Sequence, residues 1–90
     1  MLTKLIKAER VTYGDYHFRL TVKHRYWIFP YYTRTYDANP SELPGLFNWY
    51  RHPSGSWISD KWLLEDLDTL LNRALYAKQV HPIDVAAQCE

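Results

Sequence analysis

Cysteine is nearly absent: the chain of 90 residues has a single one, Cys89. One thiol cannot build a disulfide framework, and no Cys/His spacing of zinc type accompanies it, so a reducing, cytoplasmic setting is expected. Glycine is scarce too. Gly14, Gly45 and Gly55 are too far apart to cradle a phosphate. No window approaches the length of a membrane span, and the opening MLTKLIKAER lacks the apolar stretch of a signal peptide. The expectation is a soluble chain with no membrane partner.

Catalytic chemistry is equally thin. His17, His24, His52 and His81 show no i, i+4 pairing and no carboxylate at ligand spacing, so no metal is expected. Ser54-Gly55-Ser56 lacks nucleophile-elbow framing, and Cys89 sits where a terminus frays. No catalytic residue and no cofactor follow from these patterns. Internal repeats, low-complexity tracts, an RNP consensus and a helix-turn-helix are missing as well.

What is abundant is aromatic. The chain holds 8 Tyr, 4 Trp and 3 Phe, while hydrophobic residues at 47% and charged residues at 23% are ordinary for a folded soluble chain. One domain spanning 1–90 is expected. Its net charge of +1 is unevenly spread, about +5 over residues 1–36 and about −4 over 37–90. Such asymmetry fits a basic binding face, or two halves that attract each other on folding.

Residues 2–36 read as strands. Tyr16, Phe18, Leu20 and Val22 alternate with His17, Arg19, Thr21 and Lys23, the period of a half-buried strand. Gly14-Asp15 signals a two-residue hairpin that pairs Tyr13 with Tyr16, Val11 with Phe18 and Arg10 with Arg19. That register sets Glu9 and Lys7 against the core, so a bulge near Ala8–Arg10 is expected to swap the faces. A second turn with His24-Arg25 at its tip would pair Val22 with Trp27, Leu20 with Phe29 and Phe18 with Tyr31. Pro30 makes this third strand an edge or a bulged one.

The segment 37–58, rich in turn residues yet carrying Leu46, Phe47, Trp49 and Tyr50, reads as a packed loop over the sheet. After it comes the clearest element, a helix over about 59–79. Ser59 is the expected N-cap and Ile58 with Leu63 the staple. Leu63, Leu64, Leu67, Leu70, Leu71, Ala74 and Leu75 form the apolar stripe, with Lys61, Glu65, Asp68 and Asn72 away from it. Glu65, Asp66, Asp68 and Asp84 read as a solvated acidic flank, or as one that meets a basic partner. Pro82 stops the helix, and the tail 80–90 has room for a further turn or two. The expected fold is thus α+β: a three-stranded, at most four-stranded, antiparallel sheet packed by one long C-terminal amphipathic helix. A fourth strand would lie near Trp57.

The second turn leaves His17, Arg19, Lys23, Tyr26, Tyr32, Arg34 and Tyr36 on the sheet face opposite the apolar one. Tyr, Trp and Arg dominate protein-interface hot spots, so the leading expectation is a small non-catalytic protein that binds a protein partner, of accessory or inhibitor type and of the kind phages and mobile elements encode. The alternative is a single-stranded nucleic-acid binder, because cations track phosphates and rings stack bases. Self-pairing through an aromatic edge strand would give a homodimer. An ordinary solvated Tyr/Arg surface is the competing reading of the same residues.

Overall fold

The computed structural model describes residues 2–12 and 14–80. The fold is α+β. Strands β1 (Leu2–Arg10), β2 (Phe18–Arg25), β3 (Tyr32–Pro40) and β4 (Phe47–Arg51) form one antiparallel sheet in that spatial order, and helix α1 (Lys61–Tyr76) packs on it. The expected tail, with His81, Pro82, Asp84 and Cys89, and the Tyr13–Tyr16 pair involve residues outside those described.

Strand β2 carries the alternation read from the sequence. Phe18, Leu20, Val22 and His24 are buried, while Arg19, Thr21, Lys23 and Arg25 are half-buried on the other side. The inward set meets Leu63, Leu67, Leu71 and Ala74 of α1, together with Ala8, Ala38, Trp49 and Ile58, in one continuous core. Burying each leucine contributes about 1.5–3 kcal/mol.

The registers differ from those expected. In the first hairpin Arg10 pairs with Phe18 and Ala8 with Leu20, and the Val11 amide donates to the His17 carbonyl at 3.0 Å. The connection is therefore longer than a two-residue turn, and the one-residue shift already places Ala8 inside. The bulge falls between Leu5 and Lys7 instead of near Ala8–Arg10. It puts Leu5 opposite Val22, so Leu5 and Ala8, on either side of the bulge, both pack on the core, and Ile6 is extruded at 52% exposure.

The second turn is not at His24-Arg25. His24 continues the inward alternation and pairs with Tyr32, so the chain cannot reverse until β2 has finished. Val22 then opposes Arg34, Leu20 opposes Tyr36 and Phe18 opposes Ala38. Pro30 lies in the β2–β3 loop, and β3 is an interior strand between β2 and β4. The edge-strand basis for a homodimer therefore falls away.

Segment 37–58 is not a packed loop. Phe47 and Trp49 alternate with Asn48 and Tyr50 in β4, whose Trp49 opposes Ala38, and this strand is the fourth one. Trp57 makes only an isolated bridge to Tyr50, while Leu43 and Leu46 stay exposed.

Helix α1 is shorter than the expected span of about 59–79, and Asp60, not Ser59, caps it. The Asp60 carboxylate accepts from the Trp62 and Leu63 amides. At the other end the Gln79 amide donates to the Ala74 carbonyl and the Lys78 amide to that of Leu75, a Schellman closure with Lys78 at φ 56°. That closure ends the helix before Pro82. Asp68 is not part of a solvated flank. One of its carboxylate oxygens accepts from the Trp49 indole Nε1 at 2.9 Å and from the Phe47 amide at 3.1 Å. Asn72 stays exposed and donates through Nδ2 to the Gly45 carbonyl at 2.8 Å. The Asp68 bonds latch the helix to β4, and the Asn72 bond ties it to the β3–β4 loop.

Candidate binding surfaces

The sheet register separates the side chains that the sequence placed on one face. Directly opposed residues of an antiparallel pair share a face. Tyr32, Arg34 and Tyr36 oppose His24, Val22 and Leu20, so they lie on the helix side of the sheet. Arg19 and Lys23 lie on the outer side, Tyr26 belongs to the β2–β3 loop, and His17 precedes β2 as an exposed residue. A single aromatic-basic face is therefore not formed. Three distinct surfaces take its place.

The outer face carries two clusters of unlike character. In the first, Arg19 Nε donates to Asp37 Oδ1 at 2.7 Å, and His52 Nδ1 bonds Asp37 Oδ2 at 3.0 Å. Both oxygens of this buried carboxylate are used, so Arg19 is tied into the sheet. In the second, Lys4 and Lys23, cross-strand neighbours, converge with Arg25 on the Tyr31 ring at 5.5, 5.0 and 5.5 Å. Slight burial raises the pKa of the Tyr31 hydroxyl, but the hydrogen bonds and charges of Lys4 and Arg25 prevail and hold it below its ordinary value. Among the described residues none of these three cations has a carboxylate partner.

The second surface is the β2–β3 loop. Tyr26, Trp27, Ile28 and Phe29 are 61%, 83%, 77% and 63% exposed, one after another along the chain. The Phe29 amide donates to the Tyr26 carbonyl at 3.0 Å, closing a tight turn that points all four outward. Trp27 has φ 58°, the left-handed region where a Cβ clashes with the backbone and a bulky residue is disfavoured.

The third is a cleft of about 490 Å³ where the first turn of α1 overhangs the ends of β2, β3 and β4. His24 and Tyr36 line its floor; Arg34 and Arg51 bring two cations; Tyr26, Tyr32 and Trp62 supply aromatic walls. Thr3 Oγ1 bonds His24 Nδ1 at 2.8 Å, and His24 Nε2 bonds the Tyr36 hydroxyl at 2.8 Å. Burial, reinforced by Arg34, holds the His24 pKa below its ordinary value against the opposing pull of Asp66. The imidazole is therefore neutral near pH 7, with one nitrogen donating and the other accepting. Burial raises the pKa of the Tyr36 hydroxyl, so it keeps its proton. Arg34 stacks on the Tyr32 ring at 4.7 Å. Neither Arg34 nor Arg51 forms a salt bridge among the described residues.

Arg51, Trp62 and the burial of His24 were not among the candidates drawn from sequence. A signal existed for His24 alone, since it extends the Phe18-Leu20-Val22 alternation by one step. Arg51 and Trp62 reach the cleft through the β3–β4 pairing and the helix packing, which no local pattern encodes. Among the described residues no group of three or more His, Cys, Asp and Glu side chains is placed to hold a metal ion, and no helix is long and apolar enough to cross a membrane. Compared with protein-family models, curated proteins and solved structures, the chain finds no match.

Proposed function

We propose that this chain is a small non-catalytic protein of accessory or inhibitor type that acts in the cytoplasm by binding a protein partner through the β2–β3 loop. The observation that carries the reading is the run Tyr26–Phe29, four large side chains exposed in succession on one tight turn. Scattered exposed apolar residues are ordinary, but a contiguous protruding set is a feature of interaction sites. Trp27 strengthens the reading. A left-handed position favours Gly or Asn, so a Trp there costs the fold about 1–2 kcal/mol and stabilises nothing within it. Trp and Tyr are also the residues that carry most binding energy at interfaces. The partner this loop fits has an apolar pocket for Trp27 and Phe29, with acidic groups at its rim to meet Lys4, Lys23 and Arg25.

The test is a photo-crosslinking amino acid at position 28 in the full chain, expressed in cells that carry the partner. The expected result is one adduct of defined mass that disappears in the Trp27→Ala/Phe29→Ala double variant, whose thermal melt is unchanged. Placing the crosslinker at Leu43, on a different loop, should yield none. An adduct that survives the double variant removes the loop from the interface. An adduct at twice the mass of the chain replaces the partner with a second copy.

The convergence of Lys4, Lys23 and Arg25 on Tyr31 favours one second reading, single-stranded nucleic-acid binding on the outer sheet face. Fluorescence anisotropy of a labelled mixed-sequence oligonucleotide at two salt concentrations decides it. Micromolar binding that weakens steeply with salt and is lost in Lys4→Glu/Lys23→Glu supports this reading. No binding at low salt eliminates it.

A further inference from the structure

The cleft under the first turn of α1 has features that the loop does not explain. Two guanidinium groups, Arg34 and Arg51, line it without carboxylate partners among the described residues, and both act electrostatically on Tyr36 and His24. One carboxylate, that of Asp60, also reaches its wall, but Oδ1 already accepts the Trp62 and Leu63 amides at the positive end of the helix. Two guanidiniums against one carboxylate leave the lining residues with a positive balance. Its volume of about 490 Å³ lies in the range of small-molecule sites.

The hydrogen bonds at the floor give the cleft a direction. A neutral imidazole has one donor and one acceptor, so the Thr3–His24–Tyr36 chain runs in one of two senses. In one, the Thr3 hydroxyl donates to Nδ1, Nε2–H donates to the Tyr36 oxygen, and the phenolic O–H is left to donate into the cleft. In the other, Tyr36 donates to Nε2 and offers only lone pairs. An anion in the cleft selects the first sense, and the buried neutral relay then places a phenolic donor beside two arginines. A single carboxylate would be met by one guanidinium fork, whereas two guanidiniums and a neutral donor suit the larger charge and the three outer oxygens of a phosphate monoester. Tyr26, Tyr32 and Trp62 add flat apolar walls, with Trp62 exposed and open to stacking.

We propose that this cleft is a binding site for a phosphate monoester whose organic group carries an aromatic ring, held by Arg34, Arg51 and Tyr36 and flanked by Tyr32 and Trp62. The site is separate from the exposed Trp27–Phe29 tip of the loop. Two sources share this chemistry, a nucleoside monophosphate and a phosphorylated tyrosine side chain.

The experiment is a titration of the ¹⁵N-labelled full chain with phenyl phosphate, followed by backbone amide and arginine Nε–H shifts. Saturable changes confined to residues around Arg34, Tyr36, Arg51 and Trp62 are expected, with phenol producing none and inorganic phosphate binding more weakly. Arg34→Gln and Arg51→Gln should each weaken binding about tenfold or more, the usual effect of losing a charge-assisted hydrogen bond. Tyr36→Phe should weaken it less, and its amide spectrum shows independently whether the fold is intact. Adenosine monophosphate and phosphotyrosine, titrated in parallel, distinguish the sources: whichever binds more tightly than phenyl phosphate identifies the natural class. The proposal is overturned if phenyl phosphate gives no saturable shift up to about 10 mM, a concentration at which even a millimolar site is mostly filled. It is overturned equally if the Arg34→Gln/Arg51→Gln double variant binds as well as the parent, or if the shifts map to Lys4, Lys23 and Arg25.

Discussion

Asp68 offers the sharpest test of how the helix is held. Its carboxylate oxygen accepts both the Trp49 indole N–H and the Phe47 amide, so one side chain of α1 satisfies two donors of β4. In Asp68→Ala the indole N–H of Trp49, a residue with no solvent exposure, is left without an acceptor in the core. An orphaned buried donor costs about 1–3 kcal/mol, and the half-buried Phe47 amide adds less because water can reach it. The expected loss is about 2–3 kcal/mol, which in a domain of this size lowers Tm by about 10–20 °C. Asp68→Asn should behave differently, since its amide oxygen can accept the same two bonds. Burial raises the Asp68 pKa despite the bonds from Trp49 and Phe47, so the native state binds its proton more tightly than the unfolded chain. The sign follows. As pH rises through the unfolded value, near 3.8, and on through the higher native value, the parent loses stability that the Asn variant keeps. Urea unfolding at pH 3.5 and pH 7, followed by circular dichroism, should show Asp68→Asn gaining on the parent at the higher pH. Equal stability of the Ala and Asn variants at pH 7 would refute the latch.

Four further outcomes are expected. Trp27→Asn should raise stability in urea by about 1 kcal/mol, by relieving a bulky left-handed residue, while abolishing the position-28 crosslink; a loss of stability refutes the strain. Lys78→Gly should stabilise by about 0.5–1 kcal/mol for the same reason at the Schellman position, and an unchanged Tm counts against that closure. His24 has a depressed native pKa, so its share of stability is complete above the unfolded value near 6.5 and is lost as pH falls below it; His24→Gln should flatten the stability profile on the acid side of that value, and an unaltered slope overturns the buried neutral imidazole. Tyr36→Ala should cost about 3–5 kcal/mol, whereas Tyr32→Ala/Arg34→Ala should fold with a Tm near that of the parent, which thermal melts distinguish directly.

The sequence read well where period carried the information. The alternation of Phe18, Leu20 and Val22 located β2, and the leucine stripe from Leu63 to Leu75 located α1 and its buried face. It read poorly where register did, because a shift of one residue exchanges every side chain between faces. A turn with His24-Arg25 at its tip stops β2 one step short of the inward His24, and that sends Tyr32, Arg34 and Tyr36 to the wrong side of the sheet. The Tyr26–Phe29 run reads as strand because its residues have high β-propensity, although propensity reports packing and these side chains stand exposed. Strand β4 was hidden by the turn residues around it, and Asp68 by a helical position that looks solvated until β4 is placed beneath it. Of the seven candidate binding residues, Tyr26, Tyr32, Arg34 and Tyr36 do come together, at the cleft, but with partners from β4 and α1 that only the tertiary fold supplies.

Stability and binding are carried by different residues in this fold, and the separation has a physical origin. The inner sheet face is closed by α1 and sealed by Trp49, Leu20, Leu67 and Leu71, which leaves no apolar demand for the loop to meet. The loop's aromatic side chains are consequently free of any packing role, and Trp27 holds a conformation that costs stability. The outer face shows the same division on a smaller scale. Arg19 is spent on the buried Asp37 and serves the sheet, while Lys4, Lys23 and Arg25 gather on a tyrosine ring and, among the described residues, meet no carboxylate. The cleft stands between the two extremes. His24 and Tyr36 are core residues whose polar atoms are satisfied by one another and by Thr3, and the arginines beside them are exposed. Substituting the arginines therefore probes binding alone, whereas removing the imidazole or the phenol disturbs the floor on which binding depends.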